Sequence, residues 1–178
     1  MITNTKGFYK SNSIRYLYAS PYRPRFADKP IKKIKRFNLK ASGSTALIES
    51  ACKMIDEVGE RLAATPEGER PEKVMFVIVT DGEENASAPE YTREQLMAKI
   101  KEQTEVYNWL FLYLGANQDA ITVARSYGIK GENALAWKSD KRGTARNTAR
   151  LSKKLHEVNM TNASAMQDIA FDAEDRKE

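Results

Sequence analysis

The apolar positions change period along the chain, and the middle third switches between helical and strand spacing in the manner of a parallel α/β protein. Leu47, Ile48, Ala51, Cys52, Ile55, Val58 and Leu62 share one helical face, which predicts an amphipathic helix from 46 to about 63. The polar loop ATPEGERPEK follows, and residues 73–80 then form an apolar, β-branched run suited to a strand covered on both faces. Pro89 breaks the next loop. Thr92 and Gln95 make a capping box, and the helix they open carries Leu96, Met97, Ile100 and Val106. WLFLYLG reads as a second buried strand, after which Asp119 caps a short helix ending at Gly128, where a left-handed backbone is cheap only for glycine.

The flanks carry weaker patterns. SIRYLYAS and YRPRFADKPIKKIKRFNL alternate, but Pro21, Pro24 and Pro30 limit regular pairing and predict edge strands. Beyond Trp137, a helical face of Ala145, Thr148, Leu151, Leu155 and Val158 is surrounded by basic residues. The tail from about 161 is expected to be poorly ordered, with a short helix at 165–172. The organisation expected is therefore a basic N-terminal arm with edge strands at 1–40, an α/β core at 41–136, a basic helix packed on that core at 137–160, and a charged tail at 161–178.

A chain of 178 residues suffices for one domain burying roughly 70% of its unfolded surface. No apolar run approaches the ~18 residues of a membrane span, the N-terminus lacks the apolar core of a secretory leader, and one cysteine forms no internal disulfide, so the expectation is a cytoplasmic protein with no membrane partner. Charge is segregated: residues 1–40 hold eleven Lys and Arg against Asp28 alone, while residues 41–136 hold nine against sixteen Asp and Glu. A basic arm suits nucleic acid, and equally suits a solvated edge strand guarded by lysines. The nucleic-acid reading rests on PIKKIKRFNLK, on Lys141, Arg142, Arg146, Arg150, Lys153 and Lys154, and on Tyr16, Tyr18, Tyr22 and Phe26 as stacking faces.

The candidate chemistry lies where VMFVIVTDGEEN runs from strand into carboxylates. Asp81 leaves its strand at the carboxyl end, where doubly wound sheets bind ligands, and Thr45 in ASGSTAL opens the preceding helix with a hydroxyl. One carboxylate and one hydroxyl predict weak Mg²⁺ binding at most, because that ion takes oxygen ligands and dehydrates reluctantly. Glu83 and Glu84 read as solvated residues after a strand. An enzyme is disfavoured: His156 is the only histidine, and GxxxxGK[ST], HExxH, GxSxG and CxxC are all absent.

GSTALIESACKMIDEVGERL, VMFVIVTDGEEN and WLFLYLGANQDAITVARSYGI together resemble the von Willebrand factor A family, bacterial and phage cytosolic members in particular, over about residues 40–130. The resemblance implies a three-layer, Rossmann-like α/β fold with a mostly parallel sheet. It also implies a metal-ion-dependent adhesion site that includes Thr45 and Asp81, and a partner protein whose carboxylate completes the ion's shell. The family's Asp-x-Ser-x-Ser loop is missing; Ser11 and Ser13 follow Tyr9 where the carboxylate belongs. The resemblance therefore implies a degenerate site and an absent first strand and helix, with SIRYLYAS as second strand and about 25–38 as third. A central gap in a sheet is not tolerable. It is expected to be closed by direct pairing of the second strand with 73–80, by MITNTKGFYK folding in as a substitute, or by another chain, giving a homo-oligomer, a complementing pair or a rearranged sheet.

Overall fold

The structure, a computed structural model, describes residues 2–4, 14–19, 23–30, 44–116 and 119–176, the first three segments by backbone course alone. It is a three-layer α/β molecule around one six-stranded sheet. In chain order the strands are β1 (Ile2–Asn4), β2 (Ile14–Ala19), β3 (Arg23–Pro30), β4 (Val74–Thr80), β5 (Leu110–Ala116) and β6 (Ala134–Trp137). The helices are α1 (Leu47–Ala64), α2 (Arg93–Glu105), α3 (Ala120–Ser126) and α4 (Lys141–Met160).

The sheet order is β3-β2-β1-β4-β5-β6. The half formed by β4, β5 and β6 is parallel, with Met75 opposite Leu110 and Thr80 opposite Gly115, and Tyr113 opposite Ala134. The other half departs from the expected pattern. β1 runs antiparallel to both β2 and β4, so the chain's own N-terminal residues fill the central position and the sheet is rearranged. Of the two edge strands expected, YRPRFADKPIKKIKRFNL supplies β3 at an edge, whereas SIRYLYAS supplies β2, which is interior; β1 lies in MITNTKGFYK, the stretch expected as a substitute central strand. β3 holds Pro24 and Pro30, which a strand paired on one side tolerates because a missing N–H can face outward.

Each face of the parallel half is sealed. Phe76 and Ile78 of β4 and Phe111 and Tyr113 of β5 meet α1, α2 and α3 through Cys52, Ile55, Leu96, Ile100 and Ala124. Met75, Val77, Leu112 and Leu114 meet α4 and the C-terminal segment through Leu155, Val158, Met166, Ile169 and Phe171. β4 is covered as expected except at Val79, which is 50% exposed near the carboxyl rim. The Thr92 and Gln95 capping box forms, Asp119 accepts from the Thr122 N–H, and Gly128 takes a φ of 81°. Two of the apolar positions assigned to α2, Met97 and Val106, are exposed, so that helix buries only Leu96 and Ile100.

The face assigned to α4 is also corrected at its start. Ala145 and Thr148 are exposed, while Gly143, Asn147, Lys154 and Val158 are buried. Gly143 packs against the Lys138 carbonyl, where an added Cβ would fall at 2.0 Å, so closeness of backbones and not apolarity selects this residue. At the other end of α4 the buried Lys73 ammonium donates to the carbonyls of Val158, Asn159 and Thr161 at 2.7, 3.1 and 2.9 Å. A cation there satisfies the orphan carbonyls and complements the helix dipole.

The tail, expected to be loose, is docked. A 3-10 turn at Ala163–Asp168 delivers Met166, Ile169 and Phe171 into the core. Arg176 then donates to the carbonyls of Ala134, Gly131 and Glu132. Lys154 and Asp175, both almost wholly buried, pair at 2.9 Å, and Lys153 bridges Asp172 and Asp175. The Asp175 N–H and the Lys153 ammonium hold the Asp172 carboxyl down at about 2. Burial alone would raise Asp175, but the Lys154 ammonium and the Asp172 N–H outweigh it and keep it below its ordinary value.

Both carboxyls are depressed in the fold, so their stabilisation is present above the ordinary aspartate range near pH 4 and is lost as pH falls towards 2. Asp175→Asn is expected to cost about 3 kcal/mol at pH 7, because it leaves the Lys154 ammonium buried beside a weaker partner. Denaturant unfolding at pH 7 and pH 3 is the check, with the gap between variant and wild type narrower at pH 3.

Candidate functional site

The carboxyl end of β4 meets the start of α1, and the two are clasped together by the loop that follows β4. Thr80 begins the loop with a tight turn in which the Gly82 N–H donates to its Oγ1 at 3.2 Å and that hydroxyl donates to the Gly82 carbonyl at 2.7 Å. Asn85 then grips the Thr45 peptide from both sides. The Thr45 N–H donates to Asn85 Oδ1 at 2.8 Å, and the Asn85 N–H donates to the Thr45 carbonyl at 3.0 Å.

The N-cap residue of α1 is Ala46, which offers no side-chain acceptor. Its duty falls to the loop. Glu84 Oε2 accepts from the Ile48 N–H at 2.7 Å, and Ser87 Oγ accepts from the Glu49 N–H at 2.9 Å. Glu84 Oε1 also takes the N–H groups of Ala86 and Ser87, while the Ser87 hydroxyl donates to Oε2. Burial works to raise the Glu84 carboxyl, but these donors together hold it below its ordinary value. Glu49 returns the contact by accepting from the Ala88 N–H and from Lys53, whose ammonium lies 5.2 Å from the centre of the Tyr91 ring.

Thr45 and Asp81, the two residues proposed from sequence, come together at this rim. Gly82, next to Asp81, lies so close to Thr45 that an added Cβ would stand 2.9 Å from the Thr45 hydroxyl. The Asp81 side chain is exposed, and among the described residues neither its carboxylate nor the Thr45 hydroxyl makes a hydrogen bond. Glu84, read from sequence as solvated, is instead the hub of the clasp. Sequence reasoning missed Glu84, Asn85 and Ser87, and the available signal was an α1 that starts after alanine with no cap of its own.

Among the described residues the donor set does not fit a divalent cation: Glu84 is committed to α1, which leaves the exposed carboxylates of Asp81 and Glu83 and one hydroxyl, and no group of three or more His, Cys, Asp and Glu is placed to hold a metal ion. Ser11 and Ser13 lie outside the described residues, as do Tyr22 and the basic run at 31–40; the side chains of Tyr16, Tyr18 and Phe26 are likewise not described. Cys52 is buried within α1, and burial pushes its thiol up to about 11. His156 is exposed on α4. No helix among the described residues is long and apolar enough to cross a membrane.

Comparisons with family models, with curated proteins and with solved structures find no match to this chain.

Glu84→Gln keeps the shape of the clasp but converts a charged acceptor of four donors into an amide that cannot accept at both ends. It is expected to cost about 2 kcal/mol at pH 7. The folded carboxyl lies below its unfolded value, so the stabilisation is present above about pH 4.3 and disappears as pH falls further. Chemical denaturation of wild type and variant at pH 7 and pH 3 checks this, with the two curves converging at pH 3.

Proposed function

We propose that this chain is a non-enzymatic protein-interaction module that uses the Thr45 and Asp81 rim as its contact surface, in the manner of a von Willebrand factor A-like domain with a degenerate metal site. One observation carries the proposal. Among the described residues the side chains of Glu84, Asn85 and Ser87 are committed to the clasp, whereas the Asp81 and Glu83 carboxylates and the Thr45 hydroxyl take no part in it. A preorganised carboxylate held at the carboxyl end of a parallel strand costs little entropy to dock, and a partner donor or cation-bearing side chain is its natural complement.

Catalysis finds little to work with here. The only cysteine is a buried thiol, and Glu84, three residues beyond Asp81, is saturated by donors. The rival nucleic-acid reading is weakened on α4. Lys154 is turned inward onto Asp175 and Glu157, and Lys153 is held by Asp172 and Asp175, so two of the six basic residues assigned to a phosphate-binding helix are neutralised by the chain itself.

Affinity capture with wild-type and Asp81→Asn baits, compared quantitatively, is expected to show bound partners reduced at least about tenfold by the variant at unchanged melting temperature. Identical captured sets would overturn the rim as the contact surface. Binding to a labelled duplex across a salt series is expected to be absent or flat; a fall of about 0.9 log unit per phosphate contact for each log unit of salt would establish the nucleic-acid reading instead.

A further inference from the structure

Three buried polar atoms that lack a partner lie along one seam of the molecule. Among the described residues, Trp137 Nε1, Arg146 Nε and Asn147 Oδ1 are enclosed and make no hydrogen bond. The seam runs between β6, the last strand of the sheet, and the first half of α4. Trp137 packs with Leu151 and Leu155, and Asn147 is the buried position one turn earlier on the same face of α4. Helical side chains lean towards the helix N-terminus, so Asn147, only 6% exposed, leans over Gly143 towards the start of α4. Enclosing such groups forfeits their hydration with no bond in return, which marks the seam as a place that a ligand completes.

The same end of α4 gathers positive charge where it is least favourable. Residues 138–147 hold four Lys and Arg against Asp140 alone. Lys141 and Arg142 open the helix, where its dipole is already positive, and Arg142 and Arg146 stand four apart, where like charges repel. Among the described residues Lys141, Arg142 and Arg146 form no ion pair, in contrast to Lys153 and Lys154 further along the helix. Asp140 is committed to the fold, since it accepts from the Gly143 N–H at 2.6 Å. An anion would therefore be held by side chains beside the helix start and not by its capped amide. Trp137 stands opposite Ala116 in parallel register, so the turn from β6 into α4 opens at the carboxyl end of the sheet, where α/β proteins receive ligands.

We infer that the turn from β6 into α4 binds a phosphate monoester. Its oxygens accept from Trp137 Nε1, from Arg146 Nε and, once the terminal amide of Asn147 turns over, from Asn147 Nδ2, while Lys141 and Arg142 face its outer charge. A monoester brings about two negative charges at pH 7 and three strong acceptor oxygens, which matches both the three orphaned groups and the surplus of cations. A carboxylate or a backbone diester of nucleic acid brings one charge and two oxygens, and leaves more of the seam unsatisfied. Trp137 is only partly buried, so its indole is the group that shifts to admit the phosphate. The site is separate from the Thr45 and Asp81 surface and does not depend on it.

Proton–nitrogen NMR of the full chain tests this, with inorganic phosphate and phosphoserine titrated in at pH 7 and constant ionic strength. The chain has two tryptophans, and the indole N–H of Trp137 is expected to shift saturably at millimolar phosphate or below while that of the buried Trp109 stays fixed. Arg146→Lys keeps the charge but has no Nε, and is expected to weaken binding at least about tenfold at unchanged melting temperature. Arg142→Gln, at an exposed position, is expected to weaken it more modestly. A short phosphoserine peptide that binds at least about tenfold more tightly than phosphoserine would place the phosphate on a partner protein, and equal affinity would place it on a free metabolite. A Trp137 indole that does not move, or that moves as far with chloride or acetate, overturns the proposal. So does affinity unchanged in both variants, and so does tighter binding of a DNA duplex than of phosphoserine, which would give the site to nucleic acid.

Discussion

The backbone of β4 sets the terms for the rest of the molecule. A strand buried on both faces has no water to satisfy its N–H and C=O groups, so both of its edges must find partners. β5 answers on one side along nearly the whole strand, in parallel register and with α2 as the crossover. On the other side the chain answers with three residues of its own beginning, run in the opposite direction. β4 thus carries an antiparallel ladder on one edge and a parallel one on the other.

The same economy governs the loop after β4. Three carboxylates within four positions look like a ligand set, yet the fold spends one of them on a structural debt. α1 begins at alanine, and its unsatisfied N–H groups receive Glu84 and Ser87 from a loop some forty residues on. A carboxylate at a helix N-terminus is stabilised by the dipole as well as by hydrogen bonds, so Glu84 is better placed as a cap than as a metal ligand. The same loop holds Asn85 on the Thr45 peptide and sets Gly82, the neighbour of Asp81, against the Thr45 hydroxyl. The rim is ordered because one acid serves the fold, and chemically available because another does not.

How much of this was legible depended on the range of the signal. Local chemistry read correctly: the Thr92 and Gln95 box, the Asp119 cap and the left-handed Gly128 each depend on residues within a turn of one another. The two central strands were legible because a doubly covered strand must be apolar throughout, and Thr45 and Asp81 were brought together because strand-end and helix-start positions follow from α/β topology. β1 was not legible in detail, since a three-residue strand with a single apolar residue, Ile2, has no period to detect. β6 escaped for a similar reason, being only four residues of mixed size. The start of α4 was misread because its inward face is chosen by fit and pairing: glycine against a backbone carbonyl, and a lysine whose charge is cancelled by an aspartate in the tail.

That last pairing bears on how basic proteins are read. Counting charge along α4 gives a helix suited to phosphate, because the count treats each lysine as facing water. Burial of Lys154 would be prohibitive alone, and it becomes tolerable only because Asp175 is delivered to it by a tail whose apolar side chains are themselves anchored in the core. The apolar and ionic contacts therefore depend on one another. Met166, Ile169 and Phe171 hold the aspartates in reach, and the ion pairs orient the chain so that those side chains enter the core. Net charge predicts a partner only after such internal debts are subtracted. Along this helix the subtraction removes the lysines nearest the tail, while among the described residues Asp81 and Glu83 have no ion-pair partner.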